Sequence, residues 1–409
     1  MSKRAGDQDV RDRLLGELDT TFVVEAAAGT GKTTVLVERI VRLVLEGKAK
    51  LSEIISVTFT EKAAGEMKLR LRTRLEKARE DAKDAVAQQR LTEALEELEV
   101  MRIGTIHGLC GDLLREHPVE AGVDPLFEVA AEEDAQALLN AAFHRRFQDL
   151  LEAQPEGIRR ALRRKPKGLD AEPPRKTLFN AVRSLVEHRD FAEPWRRDPF
   201  ARESIIDDLL KDLAGLVELL PKMKVKTGKS GDFLEAFTLA KRLLQDTAHR
   251  EKVSPRDYDG LEAQLRDLGS GGFRWTSKTW GIVFLAGLTE AEALARRDAV
   301  GSALKRFTQA ADADLAARLH EELRPIVEAY ELEKARKGVL DFVDLLLLTR
   351  NLLQRNRAVR QTLQARFKRL FVDEFQDTDP LQSEIVLLLG AADPSVSQPF
   401  STTPVPGKL

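Results

Sequence analysis

The residues able to do chemistry in this chain fall into two short stretches far apart in sequence. The first is Ala26-Ala-Ala-Gly-Thr-Gly-Lys-Thr33, followed by Thr34. It meets the pattern G-x-x-x-x-G-K-[ST] except at its first position, where Ala26 stands. Gly29 and Gly31 let the backbone curl until successive N–H groups face one anion. The helix expected to follow adds partial positive charge at its N-terminus. Lys32 would reach β- and γ-phosphates, and the Thr33 hydroxyl would ligate Mg2+. Ala26, Ala27, Ala28, Gly29, Thr30, Gly31, Lys32, Thr33 and Thr34 are therefore the candidate nucleotide-contacting residues. The second stretch is Leu370-Phe-Val-Asp-Glu374. An apolar strand ending in adjacent acids delivers one carboxylate, Asp373, to the metal. Glu374 then sits where it can orient or deprotonate an attacking water. Together the stretches imply binding of a nucleoside triphosphate with its Mg2+, and a means of hydrolysing it.

The elements that position these residues read as a parallel sheet covered by helices. Phe22–Glu25 is the predicted strand before the phosphate loop, and Val35–Val44 carries helical periodicity. Ile54–Phe59 and Met101–Ile106 are further strands. Each runs directly into a helix, at Thr60–Arg72 and His107–Arg115, with a long charged helix or helix pair over Arg74–Glu99. The alternation stops near Pro118. From there to about Lys337 the pattern is helical, with candidates at Ala130–Phe147, Lys176–His188, Ile205–Leu220, Phe233–Ala248 and Ala291–Lys334. Basic or Gly-rich breaks fall at 163–168, 221–230 and 269–280. Strand character returns at Arg369–Glu374, with a helix over Pro380–Leu389. The expected organisation is an α/β domain in two parts, residues 1–116 and 338–392, interrupted by an all-α insertion at 117–337 and followed by a loop-like tail at 393–409.

Composition narrows the class. The 409 residues carry a formal net charge of −2, so any surface for nucleic acid must be local. A single cysteine excludes an internal disulfide and fits a reducing compartment. Cys110 lies on an apolar stretch and reads as packing. The first residues lack the apolar core of a signal peptide, and no apolar run is long enough to span a bilayer. The expectation is a soluble cytoplasmic protein with no membrane partner.

Four motifs in order make a more specific case. They are Ala27-Ala-Gly-Thr-Gly-Lys-Thr33, Val57-Thr-Phe-Thr-Glu-Lys-Ala-Ala-Gly-Glu-Met67, Gly104-Thr-Ile-His-Gly-Leu-Cys110 and Phe371-Val-Asp-Glu-Phe-Gln-Asp-Thr-Asp-Pro-Leu-Gln382. The set resembles the superfamily-one helicases of the UvrD/RecB/AddA type, in which the loop commonly begins with Ala. The insertion length and the third and fourth motifs are most similar to the helicase–nuclease members of that group. The resemblance implies a P-loop RecA-like domain that uses ATP and Mg2+ to unwind DNA, 3′ to 5′, in double-strand-break repair and recombination, as one component of a helicase–nuclease complex. It further implies that Gln8 reads adenine and Arg39 packs on the base. Thr58, Phe59, Thr60, Thr105 and His107 would contact DNA, Phe59 by stacking. Lys32, Glu374 and Gln376 would serve hydrolysis, with Gln376 and Asp377 coupling the nucleotide to the DNA path. Trp275 and Trp280, beside basic residues, have stacking potential but read equally as loop anchors.

The match also has gaps. A working helicase of this type carries a Gly-Asp-x-x-Gln-Ser-like strand after the fourth motif and a second RecA-like domain that supplies arginine to the γ-phosphate; the sequence holds neither. It thus reads as the N-terminal part of a longer protein, binding ATP but nearly inactive alone. Two alternatives are a UvrD-like repair helicase without a nuclease, and a truncated, non-catalytic module that binds DNA or a partner.

Overall fold

A computed structural model describes residues 8–27, 29–164, 172–191, 193–226, 232–270, 275–279 and 281–409. Among them seven short strands occur: β1 Ile54–Thr58, β2 Arg102–Thr105, β3 Glu128–Val129, β4 Met223–Val225, β5 Ile282–Phe284, β6 Val339–Leu340 and β7 Arg369–Val372. The chain divides into two compact units, residues 1–135 with 334–409, and residues 136–333. Residues 117–135 and 334–337, read from sequence as insertion, thus belong to the first unit.

The first unit is built on β1. Its Ile-Ile-Ser-Val-Thr run is buried at every position, as a strand covered on both faces must be. β1 pairs in parallel with β2 on one side and β7 on the other. Side-chain alternation sends Ile54 to one core with Ile40, Leu43, Met67 and Leu71. Ile55 and Val57 go to the other, with Cys110, Leu113, Leu353, Leu370 and Ile385. The result is helix, sheet, helix.

Each helix that leaves the sheet is started by a capping side chain. Thr60 accepts from the Ala63 N–H at 3.1 Å and Thr105 from the Gly108 N–H at 3.1 Å. Asp379 accepts from the Gln382 N–H at 2.8 Å, ahead of Pro380. These caps fix where each loop at the C-terminal edge of the sheet turns.

β3 and β6 pair in parallel, Glu128 with Val339 and Val129 with Leu340. They bring together the two chain segments that lead into and out of the second unit. Lys334, 2% exposed, anchors the same place through Asp341 at 2.8 Å and through Asp344.

Two strand expectations change. Phe22–Glu25 forms no strand. A strand needs a ladder partner, and the outer edge of β7 is met instead by the tail: the Leu370 N–H donates to the Lys408 carbonyl at 2.6 Å. Thr21 Oγ1 accepts from the Gly407 N–H at 3.1 Å, while Val23 is left 85% exposed. The end of the tail is correspondingly buried, with Lys408 5% exposed. The insertion, expected to be all-α, contains the antiparallel pair β4–β5. Its strands span three residues each, too short to register as a pattern.

The second unit is otherwise helical. Arg202–Val217, Asp232–Arg250 and Tyr258–Gly269 close on part of Glu290–Lys337 around Leu213, Phe237, Leu265 and Leu304. The helices Glu156–Arg163 and Tyr258–Gly269 were not expected from sequence. Arg160, 1% exposed, ion-pairs with Glu262 at 2.8 Å and Asp314 at 2.5 Å, both also buried. Trp275 is a loop anchor, 8% exposed, its Nε1 donating to the Leu268 carbonyl at 2.9 Å. Trp280 and parts of the three basic breaks lie outside the described residues.

Candidate nucleotide site and nucleic-acid face

The phosphate loop links the run Thr21–Glu25, exposed from Val23 onward, to the helix Lys32–Leu45. Gly29 and Gly31 have φ of 78° and 88°, backbone conformations that side-chain-bearing residues rarely adopt. The loop is braced from within. Thr30 Oγ1 donates to the Ala27 carbonyl at 2.8 Å and Lys32 Nζ to the Ala26 carbonyl at 3.2 Å. Thr34 sits under Gly31, its Oγ1 3.9 Å from where a Cβ there would lie. The first turn of the helix holds no acid, so the field at its N-terminus favours an anion. Ala28 lies outside the described residues.

The two stretches meet. Thr33 Oγ1 donates to Asp373 Oδ2 at 3.1 Å across 340 residues of sequence. Asp373 is placed by β7, its own N–H donating to the Val57 carbonyl of β1 at 2.9 Å. Lys32 Nζ lies 3.6 Å from Glu374 Oε2. Glu374 has φ 54° and ψ 46°, a strained left-handed conformation for a residue with a side chain. Gln376 Nε2 donates to the Glu374 carboxylate and, at 3.4 Å, to Asp377. The Gln376 hydrogen bond, then the Lys32 charge, hold the Glu374 carboxyl below its ordinary range. Lys32, Thr33, Asp373, Glu374 and Gln376 thus form one cluster.

That cluster fits the groups the motifs imply. One hydroxyl and one carboxylate converging at 3.1 Å are hard oxygen donors. Mg2+ takes one or two such protein ligands and completes its shell with water and phosphate oxygens. Lys32 and the loop N–H groups suit the phosphates themselves.

The remaining nucleotide candidates are placed differently. Gln8 Nε2 donates to Asp12 Oδ1 at 2.7 Å, one turn along the helix Gln8–Gly16. Arg39 is 8% exposed. Its guanidinium donates to the carbonyls of Leu14, Glu17 (3.1 Å), Leu18 (3.4 Å) and Thr20 (2.9 Å), and lies 5.1 Å from the Phe22 ring centre. It straps the end of the upstream helix to the helix after the loop.

The candidate nucleic-acid residues share one edge, because β1 and β2 run in register with Thr58 opposite Thr105. Thr58 is buried and its hydroxyl donates to the Thr60 carbonyl at 3.0 Å. Phe59, immediately after, is 63% exposed, so its ring is surface rather than core. Thr105 Oγ1 donates to Glu61 Oε1 at 2.7 Å, joining the two motifs. The His107 ring stands edge-on to Phe342, centroids 5.4 Å apart. Burial lowers the His107 pKa against an opposing pull from Asp379.

Two residues escaped the sequence reading. Phe342 is half exposed beside His107; its signal was an aromatic directly after the Asp341 helix cap. Arg11 Nη2 donates to the Thr30 carbonyl at 2.6 Å, and nothing in its spacing marked it. Cys110 is fully buried, with its thiol pushed up to about 12, as packing requires. Among the described residues no helix is long and apolar enough to cross a membrane.

The chain is 27% identical to an ATP-dependent helicase/nuclease subunit from Syntrophomonas wolfei, over 92% of this chain and 32% of that protein. It is 28% identical to the protein of the same name from Carboxydothermus hydrogenoformans, over 91% of this chain and 33% of that one. The Ligilactobacillus salivarius counterpart is 25% identical over 94% and 33%. The chain therefore spans about a third of the length of the curated relatives it matches. The description "UvrD/REP helicase N-terminal domain" matches residues 9–396, nearly the whole chain, and the chain belongs to that family.

Proposed function

We propose that this chain is the ATP-binding part of a DNA helicase motor that acts in double-strand-break repair and recombination. The relatives named as helicase/nuclease subunits favour a helicase–nuclease complex, with at least one partner protein, over a helicase without a nuclease. The 3′-to-5′ direction rests on family resemblance. The observation that carries the proposal is the meeting of Thr33 with Asp373 and of Lys32 with Glu374 across some 340 residues.

In this reading Thr33 and Asp373 hold Mg2+, while Lys32 and the loop N–H groups bind the phosphates. ATP, when bound, supplies the transferable γ-phosphoryl group. Gln8 reads the base. Glu374 takes the proton of the attacking water once its carboxylate has left Lys32, and Gln376, bonded to it, positions that carboxylate. Phe59, with Phe342 close to His107, offers aromatic faces to single-stranded DNA, which tolerate any base. The chain by itself binds MgATP and turns it over slowly, because Glu374 faces Lys32 rather than water.

Titration calorimetry of the folded chain with MgATP tests this. Binding that is lost in Lys32→Ala, with turnover slow and DNA unwinding absent, is the expected result. Absence of MgATP binding, or rapid DNA-stimulated turnover by this chain alone, would overturn the corresponding part.

A further inference from the structure

The upstream helix and the phosphate loop are joined by two arginines acting in opposite directions. Arg39, on the helix after the loop, reaches back to four carbonyls at and beyond the end of Gln8–Gly16. Arg11, on Gln8–Gly16, reaches forward to the Thr30 carbonyl at 2.6 Å. Its other terminal nitrogen lies 3.7 Å from where a Cβ on Gly31 would stand. The helix is therefore fixed before it touches the loop, and Arg11 acts from a firm base.

The Thr30–Gly31 peptide turns that contact into a directional one. A trans peptide is planar, with its C=O and N–H pointing to opposite sides. Holding the Thr30 carbonyl toward Arg11 therefore aims the Gly31 N–H away from Arg11. Gly31, with φ +88°, has no Cβ to oppose rotation of that peptide, so an external partner must fix it. A charge-assisted hydrogen bond is strong enough to do so.

We propose that Arg11 is a positioning residue, which sets the Thr30–Gly31 peptide so that the Gly31 N–H donates to a phosphate of the bound nucleotide. This rests on the reading of the loop as a triphosphate site. Its signature is a loss confined to the phosphate part of the ligand.

Titration of the whole chain with MgATP and with adenosine, for wild type, Arg11→Gln and Arg11→Lys, tests it alongside melting temperatures. Arg11→Gln should bind MgATP about tenfold more weakly, the worth of one such bond, and adenosine unchanged. Arg11→Lys, which keeps a charged donor, should return MgATP binding to within about threefold of wild type. Hydrogen exchange at the wild-type Gly31 amide should slow when MgATP binds. If wild type does not bind MgATP, the nucleotide reading itself falls. If wild type binds and Arg11→Gln matches it, or loses adenosine equally, only the role of Arg11 falls. An unchanged Gly31 exchange rate in MgATP-bound wild type overturns that role even if Arg11→Gln does not fold.

Discussion

Lys32 Nζ and Glu374 Oε2 stand 3.6 Å apart, so the carboxylate faces the ammonium that the γ-phosphate would need. Nucleotide must displace Glu374 from Lys32 before that carboxylate can meet water. Glu374→Gln removes the competing charge while keeping the shape. MgATP affinity should rise a few-fold, while hydrolysis in any form of the protein that turns ATP over should drop by about 10²–10⁴, the usual worth of a general base. Calorimetry and a phosphate-release assay check the two halves separately. Weaker binding in this variant would mean the pair helps nucleotide binding rather than opposing it.

Asp373→Asn leaves Thr33 Oγ1 an acceptor of similar size but removes the metal's carboxylate. Affinity for MgATP should fall about tenfold or more, while affinity for ATP in excess chelator stays near wild type. Equal losses with and without Mg2+ would place Asp373 outside the metal's shell.

Phe59 contributes to the surface, so its loss should cost binding rather than folding. Phe59→Ala should leave the melting temperature within about 2 °C of wild type and weaken single-stranded DNA binding about tenfold or more, the worth of one base stacked on an aromatic ring. The slope of affinity against salt should stay the same, since no phosphate contact is removed. A change in slope with little loss of affinity would contradict stacking.

Arg160 in the second unit is a different kind of residue. Burial works against the charge on Asp314, but hydrogen bonds from Arg160 and Arg197 outweigh it and keep the carboxyl low. Arg160→Ala strips part of that support, leaving buried Glu262 to Arg164 and Arg202 and buried Asp314 to Arg197. Urea unfolding should show a loss of about 1.5–3 kcal/mol. Nucleotide affinity should not change, because the cluster in the first unit is built without this residue.

Cys110 gives a pH prediction. Burial pushes its thiol from 9.0 up to about 12. The unfolded thiol ionises first, so this group's contribution to stability is whole below pH 9.0 and is lost as pH rises toward 12. At pH 8 an alkylating reagent should modify the native chain far more slowly than the chain in urea. Equal rates would contradict the burial.

The sequence was most legible where local chemistry decides structure. Thr60 and Thr105 are helix caps whose place follows from the helices they start, and the acids after β7 follow from an apolar run. The meeting of Thr33 with Asp373 could be expected because loop and acids have one physical use together. Phe22–Glu25 was misread because pairing is non-local: a β-branched run says that a strand is possible, not that a neighbour is present. β4 and β5 were missed because three residues cannot establish alternation. The carbonyl partners of Arg39 and the Thr30 carbonyl held by Arg11 were invisible for a related reason. They are backbone carbonyls, which every residue carries and no motif records.

The ladder of two residue pairs between β3 and β6 has a consequence in chain entropy. With Glu128 on Val339 and Val129 on Leu340, the chain from residue 130 to 338 is, for the first unit, a single closed loop. The entropy of closing a flexible loop grows only with the logarithm of its length, so doubling it costs about 0.6 kcal/mol. Lineages of this fold could thus lengthen, trim or replace the inserted segment at little thermodynamic cost to the nucleotide site. The small clasp at its base is what closes that loop.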